Sequence, residues 1–118
     1  MSQNVHVSNL EDYLVHGVEF AGRITKNGRL IDYKTRNTVT LSDEQKEMFF
    51  MSISLYESMQ RDFDENLGSV KYTITERKDF RIISIPEGQD IIILIMKGSF
   101  ASTIKRIKEA INYMKTTS

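Results

Sequence analysis

The stretch that decides the fold is Val18-Glu19-Phe20-Ala21-Gly22-Arg23-Ile24, followed by Lys26-Asn27-Gly28-Arg29-Leu30-Ile31. Val18, Phe20, Gly22 and Ile24 alternate with Glu19, Ala21 and Arg23, the period of a strand with one face buried. Asn27-Gly28 suits a tight turn because both residue types accept positive φ. Leu30, Ile31 and Tyr33 then form the return strand, so this stretch predicts a β-hairpin.

Working outward, the segment before the hairpin predicts a short helix. Ser8 or Asn9 caps it, Glu11 and Asp12 suit its positive end, Leu10, Tyr13 and Leu14 face the core, and Gly17 stops it. After the hairpin, Ser42 with Gln45 forms a capping box, Asp43 and Glu44 favour the first turn, and residues 43 to 63 contain neither Gly nor Pro. A long helix follows.

Gly68 opens a three-strand meander. Val70, Tyr72 and Ile74 alternate with Lys71, Thr73 and Thr75; Arg77-Lys78-Asp79 turns into a strand from Phe80 to Ile85; and Pro86 to Gln89 turns into Ile91 to Met96. That last run is apolar at every position, which places it centrally with helices on both sides. A final helix capped by Ser99 carries one apolar stripe: Phe100, Ile104, Ile107, Ile111 and Met114.

The order α-β-β-α-β-β-β-α with tight links predicts an α+β fold: a single five-stranded, mainly antiparallel sheet flanked by helices. At 118 residues without repeat or linker, the chain reads as one domain over 1–118. Sixteen basic and sixteen acidic residues cancel, which argues against nucleic acid or an anionic membrane as the main partner. The absence of cysteine excludes disulfides, thiolate metal sites and cysteine nucleophiles. The start lacks the pattern of a secretory signal, and the longest apolar run, Ile91 to Met96, is far short of the roughly 20 residues that span a bilayer. The expected location is the cytoplasm.

No motif carries chemistry. His6 and His16 lack metal-site spacing, and Asp62-Phe63-Asp64-Glu65-Asn66 lacks the central glycine and terminal Glu of a calcium loop. Those acids follow the long helix, where negative charge opposes the dipole, and a basic surface on another molecule is one way to satisfy them. Ser52, Ser54 and Ser58 have no histidine nearby and no nucleophile-elbow turn. Lys105, Arg106, Lys108 and Lys115 make the final helix basic, but only Tyr113 offers a stacking platform there, so a solvated face explains it better than RNA or DNA. The expectation is a non-enzymatic chain with no catalytic residue, metal or cofactor.

The long helix stands out. At about 100° per residue, Met48, Phe49, Ile53, Tyr56, Met59 and Phe63 form a core stripe. Met51 and Leu55 widen it on one shoulder and Phe50 lies outside it, so the apolar arc reaches about 200°, twice what covering a sheet requires. The surplus, with the small Ser54 and Ser58 at its edge, predicts burial against another chain. A strand from Val70 to Thr75 at the sheet edge would offer unpaired backbone groups to the same end. The expected interface is Phe50, Met51, Ser54, Leu55 and Ser58 with Val70, Tyr72 and Ile74.

The hairpin residues 18–31, the long helix and the meander in this order resemble the roadblock/LC7 family, whose fold is close to profilin and longin domains. The resemblance covers nearly the whole chain and implies a homodimer joined through this helix and this edge strand. It also implies a role as scaffold or regulator of a small GTPase-like partner. The charged start and Met- and Phe-rich body of the helix depart from the small-residue surface common in the family. The alternative expectation is a small-ligand sensor of profilin, PAS or GAF type, with Tyr33, Tyr56, Tyr72 and Met96 lining a pocket between sheet and helix.

Overall fold

The computed structural model describes residues 17–36 and 39–117. The helix expected before Gly17 lies outside the described residues, as do His6 and His16. The elements run β1 (Val18–Ile24), β2 (Leu30–Thr35), a central helix (Asp43–Gln60), a 3₁₀ turn (Arg61–Phe63), a one-turn helix (Asp64–Leu67), β3 (Thr73–Glu76), β4 (Arg81–Glu87), β5 (Asp90–Met96) and a final helix (Phe100–Thr117). The five strands form one antiparallel sheet in the order β2-β1-β5-β4-β3. The α+β architecture expected from the pattern is the one found.

β5 sits at the centre because it is apolar on both faces. Ile92, Leu94 and Met96 join Val18, Ala21, Ile83 and Ile85 beneath Ile107 and Ala110 of the final helix. Ile91, Ile93 and Ile95 join Ile24, Ile82 and Phe50 on the opposite face, beneath the central helix. Each fully buried isoleucine contributes roughly 1.5–3 kcal/mol of transfer free energy, so this strand ties both layers together. In the final helix the stripe Ile104, Ile107 and Ile111 packs inward as expected; its ends, the side chains of Phe100 and Met114, lie outside the described set. Ser99 caps that helix, its Oγ accepting from the Ser102 N–H at 3.1 Å.

Three boundaries differ from the sequence expectation, each for a local reason. The β1–β5 register shifts between Val18 and Phe20, so Glu19 is an extra residue and Val18 faces the final helix rather than sharing a face with Phe20. β4 runs through Pro86 to Glu87, and the turn is only Gly88-Gln89, with Gly88 at φ +62°. Pro86 is accommodated because β3 reaches no further along β4 than Ser84, leaving an open edge beyond it. The same proline limits β3. Its register pairs Thr73 with Ser84, so extending it back to Lys71 would oppose Pro86, which has no N–H to donate.

Candidate functional site

The central helix begins as its sequence dictates. The Gln45 N–H donates to Ser42 Oγ at 3.1 Å, and the Ser42 N–H donates to Gln45 Oε1 at 2.9 Å, so two donors that the helix itself leaves open are satisfied. Its rotation about its own axis is set elsewhere. The β1–β2 loop presses against it: a Cβ on Gly28 would lie 2.8 Å from the Met51 Cα, and Gly28 holds φ +84°, so only glycine fits. Ser54 Oγ donates to the Lys26 carbonyl oxygen. One turn on, Glu57 Oε2 accepts from Ser84 Oγ at 3.1 Å and from Thr73 Oγ1 at 3.4 Å, a longer and weaker contact. Phe50 completes the inner row, stacked on Phe20 at 6.0 Å and edge-on to Phe49 at 5.4 Å.

Phe50, Ser54 and Glu57, at i, i+4 and i+7, are therefore the buried face, each 3% exposed, with Phe49 and Ile53 half-buried beside them. The opposite face is apolar and open. Met48, Met51, Leu55 and Met59, at i, i+3, i+7 and i+11, are 73%, 47%, 57% and 64% exposed, with Tyr56 and Phe63 about half exposed on their flank.

This places two of the five residues expected at an interface on the helix on its inner side instead. Met51, Leu55 and Ser58 lie on the outer surface, whereas Phe50 and Ser54 are occupied inside the domain. The expected core stripe is turned as well: Met48, Tyr56, Met59 and Phe63 point outward. Hydrophobic spacing finds the greasiest side of a helix, but here the inner side is fixed by a glycine contact and two polar anchors. Nothing in the sequence around Ser54 and Glu57 signals those long-range hydrogen bonds.

β3 is an edge strand, as expected, and Ile74 packs half-buried against the final-helix side. Val70 and Tyr72 are not part of it. They line a cleft between the start of the meander, the end of β4 and the final helix. A second cleft, about 380 Å³, opens between the central helix and β3 and is lined by the hydroxyl-bearing Ser52, Tyr56, Thr73, Thr75 and Ser84. The carboxylate of Glu57 lies behind it, bonded to two of those hydroxyls. These bonds hold helix to sheet.

The four side chains proposed to line a sensor pocket do not converge. Tyr33 stacks on Phe20 at 5.9 Å beside the β2 edge, Tyr56 and Tyr72 line different clefts, and Met96 is fully buried under the final helix. Among the described residues no group of three or more His, Cys, Asp or Glu side chains could hold a metal ion, and no helix is long and apolar enough to cross a membrane.

No protein-family profile matches the sequence, and no curated protein matches it. Solved structures do. An MglB with a tetrameric arrangement superposes with a TM-score of 0.74 at 9% identity, covering 98% of this chain and 89% of that one. The gliding protein MglB of Thermus thermophilus gives 0.74 at 11% identity, covering 98% and 90%. A roadblock/LC7 domain from Streptomyces avermitilis gives 0.64 at 11% identity, covering 92% and 91%. At such identities the likeness is one of fold.

Proposed function

From the roadblock/LC7-like fold of this chain, we propose a non-enzymatic interaction domain that pairs with a second copy of itself and acts as a scaffold or regulator of a small GTPase-like partner. The carrying observation is the outer face of the central helix: Met48, Met51, Leu55 and Met59 form an exposed apolar row on the side opposite Phe50 and Glu57. Contiguous apolar surface of this kind marks contact sites in soluble proteins. The edge strand β3 adds a side on which no other strand of the described residues pairs, and its four residues, Thr73 to Glu76, include no lysine or proline to discourage pairing.

Two copies meeting about a two-fold axis would place helix on helix and β3 beside β3, extending one sheet across both. Ser58 on the outer surface leaves room for close approach. The occupied inner face removes Phe50 and Ser54 from the seam, and Val70 and Tyr72 sit outside the pairing strand, so the contact is carried by Met48, Met51, Leu55, Ser58, Met59 and Ile74. The tetrameric arrangement of the MglB neighbour accords with self-association. The GTPase-like partner follows from the family resemblance, and a cytoplasmic location goes with it.

The test is the mass in solution. In high salt, where contacts between exposed charges are screened, sedimentation of the wild-type chain should give two copies per particle, and Leu55→Asp should give one with an unchanged far-UV circular dichroism spectrum. A wild-type chain that sediments singly in high salt, or a Leu55→Asp variant that still pairs there, would overturn the helix face as the seam.

A further inference from the structure

We propose that the acidic turn Asp62–Leu67 of one copy docks in a lysine-rimmed cleft of a second copy, a contact separate from the helix-face seam. The cleft, about 620 Å³, has a floor that includes Ile85, Pro86 and Ile111; Lys71 stands at it from the segment before β3, and Lys108 and Lys115 from the final helix. One acid, Glu87, is in its wall, but the buried Arg23 holds that carboxylate and also bonds Asp90 at 3.1 Å. No ion pair joins any of the three lysines to a carboxylate of the described residues. Among the described residues, the three lysines of the cleft thus have no carboxylate partner, and they surround an apolar base.

The chain itself supplies the complement. After Gln60 the central helix tightens into the 3₁₀ turn and restarts for one turn at Asp64, with Phe63 at φ −106° and ψ 5° marking the break. This break accounts for acids that an unbroken helix would leave at its C-terminus: Asp64 and Glu65 occupy the first turn of the new helix, where negative charge is favoured. It also pushes Leu67 and Phe63 outward, 81% and 52% exposed, flanked by Asp62, Asp64 and Glu65. Leu67 is the most exposed large apolar side chain among the described residues. None of the three acids has an ion pair within the described residues.

Apolar side chains amid three carboxylates thus match an apolar floor amid three ammonium groups. Only Gly68 and Ser69 separate the turn from the start of the cleft wall at Val70. Neighbouring, complementary patches allow a reciprocal exchange about a two-fold axis, so both contacts form together and the assembly closes. A lipid surface fits less well, because the lysines rim a concavity and the chain has no net charge.

The experiment uses a fluorescent peptide of residues 60–69 titrated with the full-length chain, alongside sedimentation. The peptide should bind, and binding should weaken at least about tenfold between about 25 mM and about 500 mM salt as screening lengths fall. Lys108→Glu with Lys115→Glu should abolish it, as should Leu67→Ala in the peptide. In full-length chains, that double reversal and Asp64→Lys with Glu65→Lys should each lose the salt-sensitive assembly while keeping the helix-face pair. Mixing the two reversed chains should restore it. In Leu55→Asp the pattern inverts, with the peptide still bound and the helix-face pair gone, so this contact and the seam fail separately. A peptide that does not bind, binds the reversed cleft equally, or is replaced by phosphatidylserine vesicles as the cleft's ligand would overturn the proposal, as would mixed variants that fail to reassemble.

Discussion

The two long helices cover opposite faces of one sheet, yet they treat their apolar residues in opposite ways. The final helix is one-sided: Ile107 and Ala110 are buried, while Lys105, Lys108 and Glu109 face solvent. The central helix buries a phenylalanine, a serine and a glutamate and displays three methionines and a leucine. A helix that only caps a sheet gains nothing from an exposed apolar row. Polar anchors inside and apolar residues outside make sense when the outer side has a second surface to meet, and the lesson is that the side on which a helix is greasiest need not be the side its own domain uses.

That contrast is open to attack at several points. Phe50→Ala should cost about 3–5 kcal/mol in urea unfolding, the range for deleting a buried aromatic ring; were Phe50 a seam residue, the loss would appear in the pairing constant instead. Ile107→Ala should cost about 2–5 kcal/mol and leave the mass in solution unchanged, because Ile107 is fully buried in the core and lies in neither proposed contact between copies. Glu57→Ala strands the hydroxyls of Ser84 and Thr73, and a loss of about 1–3 kcal/mol in thermal or urea unfolding is expected. Smallest in stability is Met48→Gln, within about 0.5 kcal/mol when dilute single chains are unfolded, though pairing followed by sedimentation should weaken several-fold. If Met48→Gln destabilised the chain as much as Phe50→Ala, the assignment of inner and outer faces would be reversed.

Much of this was legible in the sequence. The 18–31 alternation and Asn27-Gly28 specified the hairpin, the capping box set the start of the central helix to the residue, and the unbroken apolar run Ile91 to Met96 identified the central strand. Less was legible wherever an element's extent depends on a neighbour. β3 stops where Pro86 lies opposite, and the Val18 side chain changes face because a bulge absorbs Glu19. The candidate site was less legible still: Phe50 and Ser54 are held inside the fold, while Val70 and Tyr72 precede β3 and line a cleft.

Local chemistry acts over a few residues, and so periodicity, caps and turn preferences determined by themselves which segments are strands and helices, their order, and the excess of apolar surface on the central helix. The rotation of that helix was decided only in three dimensions. The Gly28–Met51 approach, the Ser54–Lys26 hydrogen bond and the contacts of Glu57 with Thr73 and Ser84 span between 16 and 28 residues of chain. Such contacts exist only once hairpin, helix and meander are packed, and they choose which apolar face turns outward.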